Sequence, residues 1–169
     1  MLWLFVLHNK KEVLQINVEY INPFLEASRY VLKSAANIDI SIGKVYLKTS
    51  PYASDAFLII IGLNGSLRGK VIFSMSKAVA CKIASAMMMG TPVTELNEVS
   101  KSAVSEAANM ILGNAATILY RKGNKIDITP PSLKMGDNMQ ISMLRTITVC
   151  VPLNLSSGDI VELDITTME

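Results

Sequence analysis

The sequence SEAANMILGN, residues 105–114, carries Glu106 and Asn109 within a largely apolar run. They lie one helical turn apart, with only two alanines between them. Apolar residues recur at helical spacing from about Asn97 to Tyr120, which predicts a long helix with one polar stripe and one broad core face.

The polar stripe of this helix consists of small residues around one charge. At about 100° per residue, Ser102, Glu106, Asn109 and Gly113 fall on one side. Helices tolerate Ser, Asn and Gly poorly, and an ordinary surface stripe would contain Lys and Glu instead. The stripe is therefore shallow enough for another backbone to approach, and the Asn109 amide offers both a donor and an acceptor. From these residues alone, a solvated surface and a binding surface both remain open.

The composition indicates one folded globular domain. The chain has 169 residues, of which 50% are hydrophobic and 18% charged, and its net charge is +2. The charges are scattered, which argues against a nucleic-acid partner. Cys81 and Cys150 lack the spacing of a metal site or disulfide scaffold, so we expect buried thiols in a reducing compartment. His8 is the only histidine, which disfavours a histidine-based triad and a His-rich metal site.

The apolar run at the N-terminus, MLWLFVL, is not expected to enter a membrane. Residues 1–7 are too few to span a bilayer, no basic region precedes them, and no small-residue cleavage site follows. We interpret residues 1–15 as an extension packed on the domain or on a partner subunit. The expected organisation is this extension followed by a single domain, residues 16–169, in a cytoplasmic protein.

The remaining pattern predicts a mixture of helices and strands, and therefore an α+β fold. A first helix is predicted in INPFLEASRYVLKSAAN, and a second between a cap at Ser76 and a stop at Gly90. A β-hairpin is predicted in DAFLIIIGLNGSLRGKVIFSM, with its turn at Asn64 and Gly65. Further strands are predicted in IDISIG, NKIDITPPSL, QISMLRTITVCVPL and GDIVELDITT.

The first and third helices show a weak internal repeat. Aligning LEASRYVL with SEAANMIL places Glu26 opposite Glu106 and Arg29 opposite Asn109. Each helix is followed by a strand that contains IDI. Two copies of a helix-plus-strand unit predict a fold with pseudo-symmetric halves.

The motif formed by Ser102, Glu106 and Asn109, with Pro130 and Pro131 beyond the helix, resembles the signature of the CheC, CheX and FliY chemotaxis phosphatases. The segments GSLRGKVIFSMS, ASAMMMG and GNKIDITPPSL are most similar to the CheX branch. The resemblance extends over residues 22–166.

This resemblance implies an antiparallel sheet with two long helices packed on one face. It implies a hydrolase that binds a phosphorylated CheY-type response regulator and cleaves its aspartyl phosphate. Asn109 would orient the attacking water, Glu106 would pair with a lysine of the regulator, and Ser102 and Gly113 would complete the partner-binding surface. The chain itself would bind no metal or cofactor, because the regulator would hold the Mg²⁺.

The resemblance also implies a homodimer with one site per chain. A second site on the first helix is disfavoured because Arg29 has hydrogen-bond donors but no acceptor, so it cannot orient a water as an amide does. Ala107 and Ala108 would be small in order to let the regulator approach.

Two other classes of function stay open at this point. One is a non-catalytic adaptor that binds a response regulator or a flagellar-switch component, and the other is an interaction domain outside two-component signalling. An enzyme of small molecules is disfavoured, since the sequence has no phosphate-binding glycine loop and no cluster of metal ligands. The sequence does not identify the regulator or decide between chemotaxis and another pathway.

Overall fold

The described part of the chain, residues 18–50, 52–142 and 147–168 of a computed structural model, contains three helices and ten strands. The predicted N-terminal extension, residues 1–15, and His8 lie outside it. The helices are α1 (Val18–Ala36), α2 (Lys77–Met87) and α3 (Glu98–Arg121). The strands are β1 (Ile40–Ile42), β2 (Tyr46–Thr49), β3 (Tyr52–Ala53), β4 (Phe57–Gly65), β5 (Arg68–Met75), β6 (Ile126–Ile128), β7 (Ser132–Met135), β8 (Gln140–Ile141), β9 (Ile147–Leu155) and β10 (Ile160–Met168).

Eight of these strands form one antiparallel sheet. Its order is β1-β9-β10-β5-β4-β6, with β2 also paired to β9 and β7 also paired to β4. The strands β3 and β8 pair separately. Sequential neighbours β4 and β5 form the predicted hairpin, whereas the two strands at the centre of the sheet, β5 and β10, are far apart in the sequence.

The turn of the β4–β5 hairpin is wider than predicted. Asn64 and Gly65 do not form the turn but extend β4 and pair with β6, so the chain reverses at Ser66 and Leu67. The reason is the close approach of β6. Gly65 has a φ of +107°, and an added Cβ would lie 2.5 Å from the carbonyl oxygen of Lys125. Glycine is needed at this position because β6 must come close enough to pair with β4. It is not needed to form a two-residue turn.

The predicted pseudo-symmetric halves are confirmed. α1 leads into β1 to β5, and α3 leads into the corresponding β6 to β10. In each half the strands that follow the helix pair with the hairpin of the other half, β1 and β2 with β9, and β6 and β7 with β4. The two halves meet at the β5–β10 pair, and α2 connects them.

The main core lies between the helices and one face of the sheet. Alternate residues of β4 point into it, namely Phe57, Ile59, Ile61 and Leu63, and all are buried. The two long helices α1 and α3 pack on this face, as predicted, with α2 beside them. Each fully buried large apolar side chain stabilises the fold by roughly 1.5–3 kcal/mol relative to exposure.

The helix ends agree with the predicted caps except at the start of α1. Ser76 caps α2 by accepting from the Val79 N–H at 3.2 Å, and Gly90, with a φ of +86°, follows its end. α1 begins at Val18 and contains Pro23, whereas the sequence predicted a start at the Asn-Pro pair. The earlier start is explained by Ile21, which is buried one turn before Leu25 and extends the apolar face. None of the three helices combines the length and the hydropathy that a membrane span requires.

Candidate active site

Helix α3 is held by a cap at its start and by its buried side. The Asn97 side chain accepts from the Ser100 N–H at 2.9 Å, and the Ser100 hydroxyl accepts from the Asn97 N–H at 2.8 Å. This reciprocal capping box fixes the first turn. The inward side is apolar apart from Ser100 and consists of Val104, Ala107, Ala108, Ile111, Leu112, Ala115 and Leu119.

The outward side of α3 presents the four predicted site residues. Ser102 and Glu106 are exposed, and Asn109 and Gly113 are half-buried. Neither the Glu106 carboxylate nor the Asn109 amide forms a hydrogen bond or ion pair with any residue that the structure describes. Both groups are therefore available to a partner.

An open cleft of about 550 Å³ lies along this side of α3. Ser102, Glu106 and Asn109 line it, as predicted, whereas Gly113 lies beyond it. The opposite wall comes from the segment at the start of β7, where Pro131 and Leu133 lie. The remaining lining residues are Glu98, Lys101 and Ser105.

The far wall of the cleft is fixed to the sheet by Thr129. Its hydroxyl accepts from the Gly62 N–H at 2.8 Å, and its own N–H donates to the Gly62 carbonyl at 3.0 Å. Directly after it, Pro130 and Pro131 restrict the backbone before β7 begins. The distance between this wall and α3 is therefore set by the pairing of β6 and β7 with β4.

Two charged residues of the cleft, Glu98 and Lys101, were not predicted. The Lys101 Nζ lies 3.1 Å from Glu98 Oε1, and the Glu98 side chain is almost fully solvent-exposed, so the pair contributes little to stability. Lys101 lies on the same side of α3 as Ser105, and helical spacing in the sequence could have placed it at the cleft. No sequence pattern places Leu133 at the cleft, because only the pairing of β7 with β4 brings it near α3.

The prediction for Ala107 and Ala108 is wrong. Both are buried, each with 3% of its surface exposed, and face the core with Leu32, Ile59 and Leu153. They are small because α3 packs closely on α1 and the sheet. The small residues that face outward are Ser102, Ser105 and Gly113.

On α1, Glu26 and Arg29 occupy the positions that the repeat predicted. Both are exposed, and neither lines the cleft on α3. The two helices are adjacent in the fold. The structure thus presents two outward helix surfaces of similar position, and on α1 the position that corresponds to Asn109 holds Arg29 instead of an amide.

A second cluster of ionisable groups lies on the opposite face of the sheet. Ligand atoms of Cys150, Glu162 and Asp164 come within 4.8 Å of one another, the sole such group among the described residues. The ammonium of Lys48 occupies this cluster, since it pairs with Glu162 and lies 3.7 Å from Asp164. Burial raises the pKa of the Cys150 thiol, which keeps it protonated. No pattern in the sequence predicted this cluster.

Both predicted thiols are free. Cys150 is buried, as expected, whereas Cys81 on α2 is only half-buried.

Comparison with known families gives one family match. The model of the chemotaxis phosphatase CheX family matches residues 57–154, which include the β4–β5 hairpin, α2, α3 and most of β9. The match thus covers the whole cleft and more than half of the chain.

Similar proteins extend this likeness over most of the chain. The CheY-P phosphatase CheX of Thermotoga maritima is 27% identical over 144 residues, which cover 85% of this chain and 92% of that protein. The solved CheX–CheY–BeF₃–Mg²⁺ complex of Borrelia burgdorferi is 34% identical, with a TM-score of 0.75, covering 90% of this chain and 100% of the other. A CheC-like superfamily protein of Shewanella sp. PV-4 is 27% identical, with a TM-score of 0.81, covering 91% and 100%.

Proposed function

Because the chain belongs to the CheX family of chemotaxis phosphatases, we propose that it binds a phosphorylated CheY-type response regulator and hydrolyses the regulator's aspartyl phosphate. The observation that carries this function is the outward side of α3. There Glu106 and Asn109 lie one turn apart at an open cleft and have no partner among the described residues. The buried side of the same helix holds them in place.

Asn109 positions the attacking water. Its amide accepts a hydrogen bond from the water and donates one to a phosphoryl oxygen. The water oxygen forms a bond to phosphorus, the bond from phosphorus to the aspartate oxygen breaks, and the regulator's carboxylate leaves as an anion. The protons of the water remain on the released phosphate. An acyl phosphate is already activated, so positioning and charge stabilisation are sufficient and no covalent intermediate on this chain is needed.

Glu106 holds the regulator in register. Its exposed carboxylate pairs with a lysine at the regulator's active site, and the one-turn spacing then places the Asn109 amide beside the phosphoryl group. Ser102 and Gly113 keep the helix surface low on either side, so that the regulator's backbone can approach.

The Mg²⁺ of the reaction is assigned to the regulator. The carboxylates of the cleft are those of Glu98 and Glu106, and they do not form a group of three ligands with any other described residue. When bound to the regulator, the ion neutralises charge on the phosphoryl oxygens. This chain contributes the water-positioning amide and the ion pair.

We further propose that the protein acts in the cytoplasm as a homodimer formed by pairing of sheet edges. β1 and β2 form one edge of the sheet, and β6 and β7 form the other. Edge strands have unpaired backbone groups that a second copy would satisfy. Light scattering at micromolar concentration tests this assembly, and a monomer there would contradict it.

The function is tested by following loss of labelled phosphate from a phosphorylated CheY-type regulator. The wild-type chain should accelerate this loss above the regulator's own rate. The Asn109→Ala chain should not. An equal rate with and without the wild-type chain, across the regulators of the same genome, would reject the function.

A further inference from the structure

The outward stripe of α3 continues past the cleft to two exposed apolar residues. Val99 precedes Glu106 by about two helical turns, and Tyr120 follows Asn109 by about three. At ~100° per residue each lies within about 20° of that residue's direction, so both belong to the same stripe. Their exposed fractions are high, 63% for Val99 and 67% for Tyr120.

The spacing of these two residues matches the size of a protein interface. They lie about 30 Å apart along the helix, at a rise of ~1.5 Å per residue, and Asn109 lies near the midpoint. A standard interface buries about 800 Å² on each partner, a patch roughly 30 Å across. One regulator centred on Asn109 would therefore reach both ends of the stripe.

Between Asn109 and Tyr120 the outward side chains of the helix are small. Gly113 lies in the helix interior, where glycine is unfavourable, and an added Cβ would meet no atom of the described chain within 4 Å. Packing within the described part of the chain thus gives no reason for glycine. The hydroxyl of Thr117 donates back to the Gly113 carbonyl at 3.0 Å, so this side chain lies along the helix and does not project from the stripe.

We propose that the regulator docks along the whole stripe from Val99 to Tyr120. Gly113 is the point of closest backbone approach, and Val99 and Tyr120 are apolar contacts at the two ends of the surface. Tyrosine suits this role because its ring offers a large contact area at low cost in conformational entropy. The proposal rests on the proposed function, since it names the contact surface of the same partner.

The test measures binding of a CheY-type regulator in its BeF₃–Mg²⁺ form by calorimetry, and turnover of the phosphorylated form in parallel. Tyr120→Ala should weaken binding and raise KM roughly tenfold, as truncation of an interface anchor does, with kcat unchanged. Val99→Ala should weaken binding less. Tyr120→Phe should restore wild-type affinity, because the ring rather than the hydroxyl makes the contact.

The matched control is Tyr30→Ala. Tyr30 is 63% exposed and lies on α1, outside the stripe, so its removal should leave binding and turnover unchanged. Wild-type affinity in both Tyr120→Ala and Val99→Ala would overturn the proposed surface. So would a Tyr120→Ala chain that loses dimerisation but keeps regulator affinity, because the stripe end would then contact a second copy.

The two proposals fail in different ways. Binding of the BeF₃–Mg²⁺ form does not depend on turnover. A wild-type chain that binds the regulator but does not dephosphorylate it would reject the catalytic function alone. A wild-type chain that dephosphorylates it, with Tyr120→Ala and Val99→Ala unchanged in KM, would reject the docking surface alone.

Discussion

Glu106 and Asn109 lie one turn apart at the same cleft, while Ala107 and Ala108 between them face the core. Helix α3 therefore uses one side for packing and the opposite side for the site. The inward residues hold the fold together, and the outward side chains of Glu106 and Asn109 have no partner among the described residues. Outward substitutions should change activity with little effect on stability.

Asn109→Ala should reduce turnover by about 100-fold or more, the usual cost of losing a group that positions and stabilises the transition state. Because the amide is half-buried and makes no hydrogen bond within the described chain, the free energy of unfolding should change by only a few tenths of a kcal/mol. Phosphate release and urea denaturation measure the two effects.

The matched control for this substitution is Asn114→Ala on the same helix. The Asn114 amide donates to the Met110 carbonyl at 2.9 Å and lies outside the cleft. It should keep full turnover. Full activity of Asn109→Ala would remove Asn109 from the catalytic machinery.

Glu106→Lys should weaken binding of the regulator, because a lysine would repel the regulator's own lysine. The expected rise in Kd is roughly tenfold or more at low salt, and it should shrink as ionic strength increases. Binding to a regulator in its BeF₃–Mg²⁺ form, measured across a salt series, tests this. Glu26→Lys at the corresponding position of α1 is the control and should bind normally. Unchanged affinity of Glu106→Lys would place that carboxylate outside the interface.

Each chain should have one active site, on α3. Arg29 has donors but no acceptor where the water-positioning amide should be, so a chain with both Glu26→Ala and Arg29→Ala should keep turnover near wild type. Titration should give one regulator per chain. Two regulators per chain would show that the surface of α1 is also a working site.

The sequence was sufficient to predict the elements whose signals are local. Helix α3, its start near Asn97 and its polar stripe follow from periodicity within one segment. The β4–β5 hairpin follows in the same way, except for its turn. That turn was wrong because the reason for Gly65 lies on β6, which is distant in the sequence.

Features that depend on pairing between distant segments were not predictable. Leu133 reaches the cleft only because β7 pairs with β4. Lys48 meets Glu162 only because β2 and β10 both lie beside β9. The small size of Ala107 and Ala108 was explained wrongly, because the resemblance linked it to the regulator's approach, whereas an alanine fits a close helix contact equally well.

Gly113→Ala should stabilise the fold and impair function. Alanine is favoured over glycine in a helix interior by about 0.5–1 kcal/mol, and an added Cβ meets no atom of the described residues within 4 Å. The free energy of unfolding should therefore rise by about that amount. The same methyl group stands where the regulator approaches, so Kd should increase. Denaturation and regulator binding on the same preparation test both effects. A stabilised chain with wild-type affinity would mean that the regulator does not approach the helix at Gly113.

The cluster of Lys48, Glu162 and Asp164 on the opposite face of the sheet should make the free energy of unfolding depend on pH in the acidic range. Burial acts to raise the pKa of the Glu162 carboxyl, but hydrogen bonds from Lys48 and Tyr46 outweigh it and hold the pKa below its ordinary value of 4.5. A depressed pKa stabilises the fold above the ordinary value, and this contribution is lost as the pH falls below it. Glu162→Gln should therefore cost roughly 1–3 kcal/mol near neutral pH, where it removes one partner of a largely buried pair, and progressively less below about pH 4.5.

Asp39→Asn is the control, because its pair with Lys33 is exposed and should contribute less than about 1 kcal/mol. Urea denaturation of both variants from neutral pH to pH 3 measures the difference, and a Glu162→Gln deficit that did not shrink in acid would show that the ionised carboxylate is not the stabilising group.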